Sequence, residues 1–516
     1  MAPEQASSDA LPPLKGAWRT TGVFLRTFVF ATGAAVMAVE FAAERLLQPF
    51  FGNSELVWAT LIGLILLALS LGYAAGGRLA DRRPTPSGLG LLALGGGIFV
   101  ALLPAIASPL LAQVVHGLLA TPAGVVIATL AGTTILFMPP VACLGAVTPY
   151  ALRLAVTRPE NVGSKAGSLY AWSTAGSIAG TFVPTFYTIP YLGVRTTLWL
   201  SATVLIALGA IMLPKRYGML ALAVPITAAY AAPPLLKPVP GLIKEVETQY
   251  QFAQVYRLPN GDTALSVNDA AGIQSLYTSA RLTGLYYDAY MLLPYFYPPE
   301  KPLSSLLIGM AAGTIPTLYK RDVDPYRAPV AMTGVELDPG LVALGRQYFH
   351  LLPSAAKIVI SDGRLYLRST LHHYDIIIVD AYSQEIYIPF SLTTKEFFNL
   401  CRQHLASGGE LAINLNATSP TAALTQAMVR TLYAVFPHVY IAKAPGTYNY
   451  LLVASAKALS LPQASSLPSF LRPVLGGIAS TWHQPADTPG LIFTDNRAPV
   501  ETMTNQMIIN HLLSSP

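Results

Sequence analysis

Between residues 304 and 380, four short apolar runs each stop at a residue suited to holding a nucleoside. Ser305-Leu-Leu-Ile-Gly309 leads into a turn that reaches Gly313, and the other three runs end on acids: Ala331-Met-Thr-Gly-Val-Glu336, Lys357-Ile-Val-Ile-Ser-Asp362 and Tyr374-Asp-Ile-Ile-Ile-Val-Asp380. Gly309 and Gly313, with alanines between, permit a tight turn and a close approach of backbone amides to a ligand. Glu336, at a strand end before Pro339, is placed to accept from both ribose hydroxyls, and Asp362, followed by Gly363, from an adenine amino group. Asp380 would lie nearest the reacting centre. Each acid taken singly reads equally well as a helix N-cap or a loop ion pair. Three acids at successive strand ends after a glycine turn favour a nucleoside site.

Such a constellation needs a particular scaffold. Runs of four to six apolar residues separated by helix-length stretches predict a doubly wound parallel sheet, with ligands outside the carboxyl ends of the strands. Upstream, residues 243–280 alternate apolar and polar positions around Pro259-Asn-Gly-Asp262, which predicts a small β-hairpin layer, and helical patterning follows at 284–295. His372-His373 precedes a buried strand and reads as a surface turn; no cysteine–histidine spacing suggests zinc, so no metal is expected. No glycine–lysine phosphate loop is present.

This scaffold comes attached to a membrane segment. The 516 residues are 53% hydrophobic and only 11% charged, where soluble domains carry roughly 25% charged residues. The apolar runs concentrate in 21–236, and the remainder has the composition of a soluble domain. We therefore expect a cytoplasmic tail at 1–20, without a secretory signal, and a transmembrane helical domain at 21–236. A hairpin layer or substrate lid at 240–300, a nucleoside-binding domain at 301–460 and a C-terminal extension at 461–516 would follow. Six stretches, near 22–46, 56–78, 88–113, 121–150, 168–190 and 195–213, are long enough to span about 30 Å of hydrocarbon. A seventh, 218–236, is shorter and holds Pro225, Pro233 and Pro234. Basic clusters at Lys15 and Arg19, at 78–83, at 153–165 and at Lys215-Arg216 alternate as expected for an N-terminus inside. A full seventh crossing would put the soluble half outside, away from nucleotide cofactors, so either the seventh segment is re-entrant or interfacial or the 121–150 stretch, interrupted by Pro139-Pro140, is not one simple span; a cytoplasmic catalytic domain is expected. Glu40 and Glu44 share one face of the first span, beside Arg45, either as a polar path or as an interfacial ion cluster. Gly95-Gly-Gly97 and Gly176 to Gly180 predict close helix packing. The net charge of +6 calls for no nucleic acid. Cys143 and Cys401 fall in different halves, which argues against a disulfide framework.

The glycine turn, Val335-Glu-Leu-Asp-Pro339, Ser361-Asp-Gly-Arg364 and Tyr374 to Asp380 together resemble the spermidine synthase (polyamine aminopropyltransferase) family. The similarity runs over roughly 245–455, through Gln274, Tyr286-Tyr-Asp288, Leu392-Thr-Thr-Lys-Glu-Phe397 and Gly408-Gly409. Pro49-Phe-Phe-Gly-Asn-Ser54, Gly76 to Arg82, Tyr170 to Gly180 and Thr494-Asp-Asn-Arg-Ala-Pro-Val-Glu501 resemble a membrane-bound bacterial branch of that family. The resemblance implies a class I methyltransferase-like (Rossmann-like) catalytic domain on a multi-pass anchor in the inner membrane, working as a homo-dimer on a small amine. It also implies the roles. Glu336, with Gly309, Gly313, Gly363 and Gln274, would bind the ribose end of decarboxylated S-adenosylmethionine, and Asp362 the adenine. Asp380 would take a proton from the attacking amine. Tyr286, Tyr287, Asp288, Tyr382, Ser383 and Glu385 would surround the acceptor, although Tyr286 and Tyr287 read equally well as core aromatics.

Two positions depart from the family. Its soluble enzymes carry an acid in the glycine loop, where this chain has Ala312, and a second acid three residues after the catalytic one, where it has Ser383. Each lost carboxylate forfeits a charge-assisted hydrogen bond of about 1.5–3 kcal/mol, for which Glu385 could compensate. Two alternatives to aminopropyl transfer follow: methylation of an amphipathic acceptor by intact S-adenosylmethionine, and a polyamine transporter or sensor that binds without turnover.

Overall fold

A computed structural model describes residues 21–514 apart from 53–54, 119–121, 157–160, 215–222, 269–271 and 384–385. The tail expected at 1–20 lies outside the described residues. The chain divides into two compact units, Met1–Leu47 with Leu56–Leu236, and Gln48–Glu55 with Lys237–Pro516.

In the first unit, five helical stretches among the described residues are long and apolar enough to cross a membrane: Gly22–Phe51, Val57–Arg82, Pro86–Val114, Ile127–Ala155 and Val162–Met212. The last, at 51 residues, would measure about 76 Å if straight at 1.5 Å per residue, more than twice a bilayer core. It is interrupted by a five-residue π turn at Pro184–Thr188 and by Gly193 in an extended, positive-φ conformation (φ 82°, ψ 164°). It therefore carries the fifth and sixth expected segments. Of the seventh, the described part includes the helix Ala223–Ala231, whose nine residues rise about 14 Å. Helix Val162–Val183 lies against Gly22–Phe51 at two glycines: a Cβ on Gly176 would stand 1.9 Å from the Phe30 carbonyl oxygen, and one on Gly180 2.1 Å from that of Ala34. Glu44 and Arg45 form an ion pair at 3.4 Å.

The second unit contains two sheets. Strands β1 (Leu242–Glu247), β2 (Phe252–Arg257), β3 (Thr263–Val267) and β4 (Ser275–Tyr277) make an antiparallel meander in sequential order. The β2–β3 hairpin turns at the Pro-Asn-Gly-Asp motif, where Gly261 takes φ +90° and Leu258 N–H donates to the Asp262 carbonyl at 2.9 Å. The larger sheet has seven strands: β5 (Leu303–Ile308), β6 (Val330–Glu336), β7 (Lys357–Ile360), β8 (Tyr374–Val379), β9 (Leu405–Asn416), β10 (His438–Lys443) and β11 (Asn449–Ser455). Their spatial order is β10-β11-β9-β8-β5-β6-β7. The five strands β9, β8, β5, β6 and β7 are parallel neighbours, and the β10–β11 hairpin adds to β9 antiparallel. Alternation along the strands sends Leu303 and Leu307, Ile376 and Ile378 into one core, and Leu306 and Ile308, Ile377 and Val379 into the other. A sheet buried on both faces reads as continuous apolar runs, as these do. From β5 the chain builds outward to β6 and β7, then returns to lay β8 on the other side of β5. The crevice between the ends of β5 and β8 is thus the topological switch point, where ligands of doubly wound sheets bind.

Candidate functional site

The backbone turn after β5 is built around one carboxylate. Gly309 leaves the strand at φ +82° and Gly313 opens the following helix at φ +90°. Met310 and Ala311 N–H groups donate to Glu336 Oε2 at 3.0 and 2.7 Å, and Asp338 N–H donates to Oε1 at 2.9 Å. Burial pushes the Glu336 carboxyl up, and these three N–H groups pull it back. A carboxylate offers about four lone-pair sites; three are taken, so Oε1 retains the capacity for one further donor. Ala311, not Ala312, faces the ligand space. Ala311 is held at φ +46° and lines the cavity, whereas Ala312 is fully buried in an apolar cluster with Val255, Leu265 and Phe349.

Asp362 is the N-cap of helix Gly363–Ser369, accepting from Leu365 N–H at 2.8 Å through Oδ1. The plainer capping role and a place on the cavity wall coexist, because the cap occupies one oxygen and leaves Oδ2. The next residue, Arg364, makes a two-pronged pair with Asp495 at 2.8 and 2.6 Å and donates to the Ser391 carbonyl at 3.1 Å. Thr394 Oγ1 also donates to Asp495, at 2.7 Å. The C-terminal Thr-Asp-Asn-Arg segment thereby ties down the helix after Asp362 and the 389–392 wall. Asp495→Ala should remove both prongs and cost about 1–2 kcal/mol, read as a fall of several degrees in the apparent unfolding temperature. The Arg364 guanidinium holds the Asp495 carboxyl below the usual range, so this contribution is present at neutral pH and is lost as pH falls through the lowered value.

Asp380 ends β8 beside the glycine turn. Its carboxylate accepts from the Tyr286 hydroxyl (3.3 Å to Oδ1, 3.1 Å to Oδ2) and from Asn414 Nδ2 (3.0 Å to Oδ1). Desolvation pushes its pKa up to about 7, against the lowering effect of the Asn414 and Tyr286 hydrogen bonds. A carboxyl that titrates near neutrality can exchange protons at physiological pH.

A cavity of about 260 Å³ lies over these strand ends, near the lower bound of roughly 300 Å³ for small-molecule sites. Gln274, Gly309, Glu336, Asp362, Gly363, Asp380, Tyr382 and Ser383 line it, together with Tyr250, Gln251 and Asp338, which sequence reasoning passed over. Other candidates fall elsewhere. Gly313 turns into Leu351 of the core side. Tyr287 is buried with its hydroxyl on the Ile273 carbonyl, and Tyr286 packs its ring against it at a tilt while reaching Asp380. Asp288 is committed to a turn, accepting from Thr283 N–H, Thr283 Oγ1 and Gly284 N–H at 2.8–2.9 Å, and lies outside the described cavity lining. Glu385 lies outside the described residues. Asn414 was also missed, although an asparagine interrupting the apolar run of β9 is a legible signal: buried amides need partners.

Residues 318–458 match the family model of the spermine/spermidine synthase domain. That stretch is similar to a spermine/spermidine synthase domain. The matched span includes Glu336, Asp362, Asp380, Asn414 and Asn449 and begins beyond the glycine turn. Over 285 residues the chain is 32% identical to a probable polyamine aminopropyl transferase of Bifidobacterium longum, covering 51% of this chain and 62% of that protein. Over 184 residues it is 30% identical to a polyamine aminopropyltransferase of Vibrio vulnificus, covering 34% and 58%. The chain thus spans somewhat under two thirds of the length of these curated relatives. Among solved structures it is similar to a probable spermidine synthase from Corynebacterium glutamicum, at 22% identity and a TM-score of 0.35, over 49% of this chain and 100% of that one.

Proposed function

We propose that this protein is a membrane-anchored aminopropyltransferase that moves the aminopropyl group of decarboxylated S-adenosylmethionine to a polyamine. The observation that carries the reading is the charge of the cavity. Its described lining includes Glu336, Asp338, Asp362 and Asp380 and no lysine, arginine or histidine. Decarboxylated S-adenosylmethionine is a dication, a sulfonium and an ammonium, and gains from such a field. Intact S-adenosylmethionine brings a carboxylate that would meet acids with no counter-charge, which costs binding free energy.

In this reading Glu336 Oε1 takes one ribose hydroxyl while its other sites hold the loop, and Asp362 Oδ2 faces the adenine amino group. Gln274, Tyr382 and Ser383 border the transferring chain and the acceptor. The neutral amine attacks the propyl carbon bonded to sulfur. The carbon–sulfur bond breaks with its electrons going to sulfur, which leaves as the neutral thioether, and the new ammonium gives a proton to Asp380. The sulfonium is already a good leaving group, so the protein chiefly aligns the amine and accepts the proton. Six crossings in the first unit would return the chain to the side of its N-terminus, which supports a cytoplasmic catalytic unit at the inner membrane; a homo-dimer is part of the same proposal.

The full-length protein in detergent would be offered each donor with putrescine, and products identified by mass. Methylthioadenosine with an aminopropylated amine is the expected outcome, with decarboxylated donor favoured at least ~10-fold in kcat/KM, the equivalent of one charge contact. S-adenosylhomocysteine would assign methyl transfer instead. Tight nucleoside binding with neither product would assign a sensor or transporter.

A further inference from the structure

Three neighbouring strands present a polar file at their ends, next to the cavity. In the β8–β9 ladder Val379 pairs with Ile413, so Asp380 and Asn414 follow side by side. Across the antiparallel β9–β11 ladder Asn416 pairs with Asn449 and Asn414 with Leu451, which sets Asn449 diagonal to Asn414. Asn449 Nδ2 donates to Asn414 Oδ1 at 3.0 Å, and Asn414 Nδ2 donates to Asp380 Oδ1 at 3.0 Å. Asn414 is only 3% exposed.

An amide has one acceptor end and one donor end, and at the envelope of side-chain shape the two are interchangeable. Turned one way, Asn414 offers Asp380 an N–H; turned the other, it offers a carbonyl oxygen that repels the carboxylate. We propose that Asn449 is a positioning residue: by donating to the Asn414 carbonyl it fixes that amide with its NH2 end toward Asp380. This holds the carboxylate by Oδ1 and leaves the lone pair of Oδ2 not used by the Tyr286 hydroxyl to receive the proton. The inference rests on the reading of Asp380 as proton acceptor.

The surroundings make the relay consequential. The titratable groups facing Asp380 are the phenols of Tyr286, Tyr287, Tyr290 and Tyr382, which burial raises and so keeps neutral. Among the described residues, Tyr286 and Asn414 are the donors to its carboxylate. With no cation to offset desolvation, each neutral donor has weight in deciding where Asp380 titrates.

Two variants separate the possibilities in the full-length protein. Asn449→Leu keeps the branched shape and removes the donor; Asn449→Asp keeps the shape and can only accept, which draws the Asn414 NH2 group away from Asp380. In each, the acidic limb of the kcat/KM profile should move up by about half to one pH unit, the worth of one hydrogen bond, and Asn449→Asp should show the larger shift. The KM for the nucleoside donor should stay within about twofold, since no nucleoside-binding group is altered. The Asp380 carboxyl band, assigned by its loss in Asp380→Asn and titrated by infrared difference spectroscopy, gives the same answer without turnover. A limb and a carboxyl titration unmoved in Asn449→Leu would overturn the relay. Absence of aminopropylated product, with the carboxyl titration still shifted, would instead overturn the functional reading and leave the relay standing. Far-ultraviolet circular dichroism checks that each variant is folded.

Discussion

Asp380→Asn is expected to reduce kcat by about 10²–10⁴, the usual worth of a positioned general base, while nucleoside affinity changes less than a few-fold. The change is nearly isosteric, and the groups assigned to the nucleoside, Glu336 and Asp362, lie on other strand ends. Amide in place of carboxylate removes the proton acceptor and nothing else of that size. Turnover and equilibrium binding of methylthioadenosine measured together test it: a variant with wild-type kcat takes Asp380 out of the mechanism. The wild-type pH dependence has the same origin. With its carboxyl raised to about 7, Asp380 is protonated and unable to accept below that value, so kcat/KM should fall about tenfold per pH unit on the acid side. Stability carries the opposite sign. The folded carboxyl titrates above its unfolded value of about 3.9, so the folded state binds the extra proton, and stability declines as pH rises from about 4 to about 7. Asp380→Asn should therefore unfold at a higher temperature than wild type above pH 7, and the difference should vanish near pH 4.

Gly309→Ala is expected to cost more than about 3 kcal/mol of stability and to abolish nucleoside binding. Two independent obstacles meet at this position. The residue holds φ +82°, where a side chain is strained. A Cβ there would also stand 2.5 Å from the Asp380 carbonyl oxygen and 2.6 Å from Ala381 Cα. Those are backbone atoms at the end of a central strand, and Asp380 N–H is bonded to the Ile308 carbonyl at 2.9 Å, so neither strand can yield without breaking the ladder. Any relief would part β5 from β8 at the cavity floor and move the amides that hold Glu336. Ala311→Gly is the counterpart: at φ +46° the alanine is the strained residue, and glycine should leave stability unchanged or raise it by up to about 1 kcal/mol. Thermal unfolding and isothermal titration with methylthioadenosine report both. Normal binding by Gly309→Ala would mean that the turn after β5 does not approach the ligand.

Much of the second unit was legible because its signals are local. Apolar runs of strand length, broken by helix-length spacers, announce a two-sided parallel sheet, and acids at the ends of such runs fall where its ligands bind. Glu336, Asp362 and Asp380 accordingly meet at one cavity. The misreadings were questions of direction. Tyr287 and Asp288 lie in a stretch of helical patterning that fits a pocket wall and a core face equally, and the structure turns Asp288 into a loop and Tyr287 into the core. Ala312 and Ala311 are adjacent, and a positive-φ bend decides which of them lines the cavity.

The sequence by itself determined the class of the chain. Its apolar spans, its strand-length runs and the acids that end them are written in composition and periodicity, which burial reads residue by residue. Only the tertiary structure decided which groups serve one another. The Asn449–Asn414–Asp380 file joins residues 380, 414 and 449, and the Arg364–Asp495 clamp spans 131 positions. Such partners are chosen by strand order and register, which bring distant residues within 3 Å and leave no trace in local spacing. The near-neutral titration of Asp380 belongs to the same category, because desolvation is a property of the neighbours that fold around a carboxylate and not of the carboxylate itself.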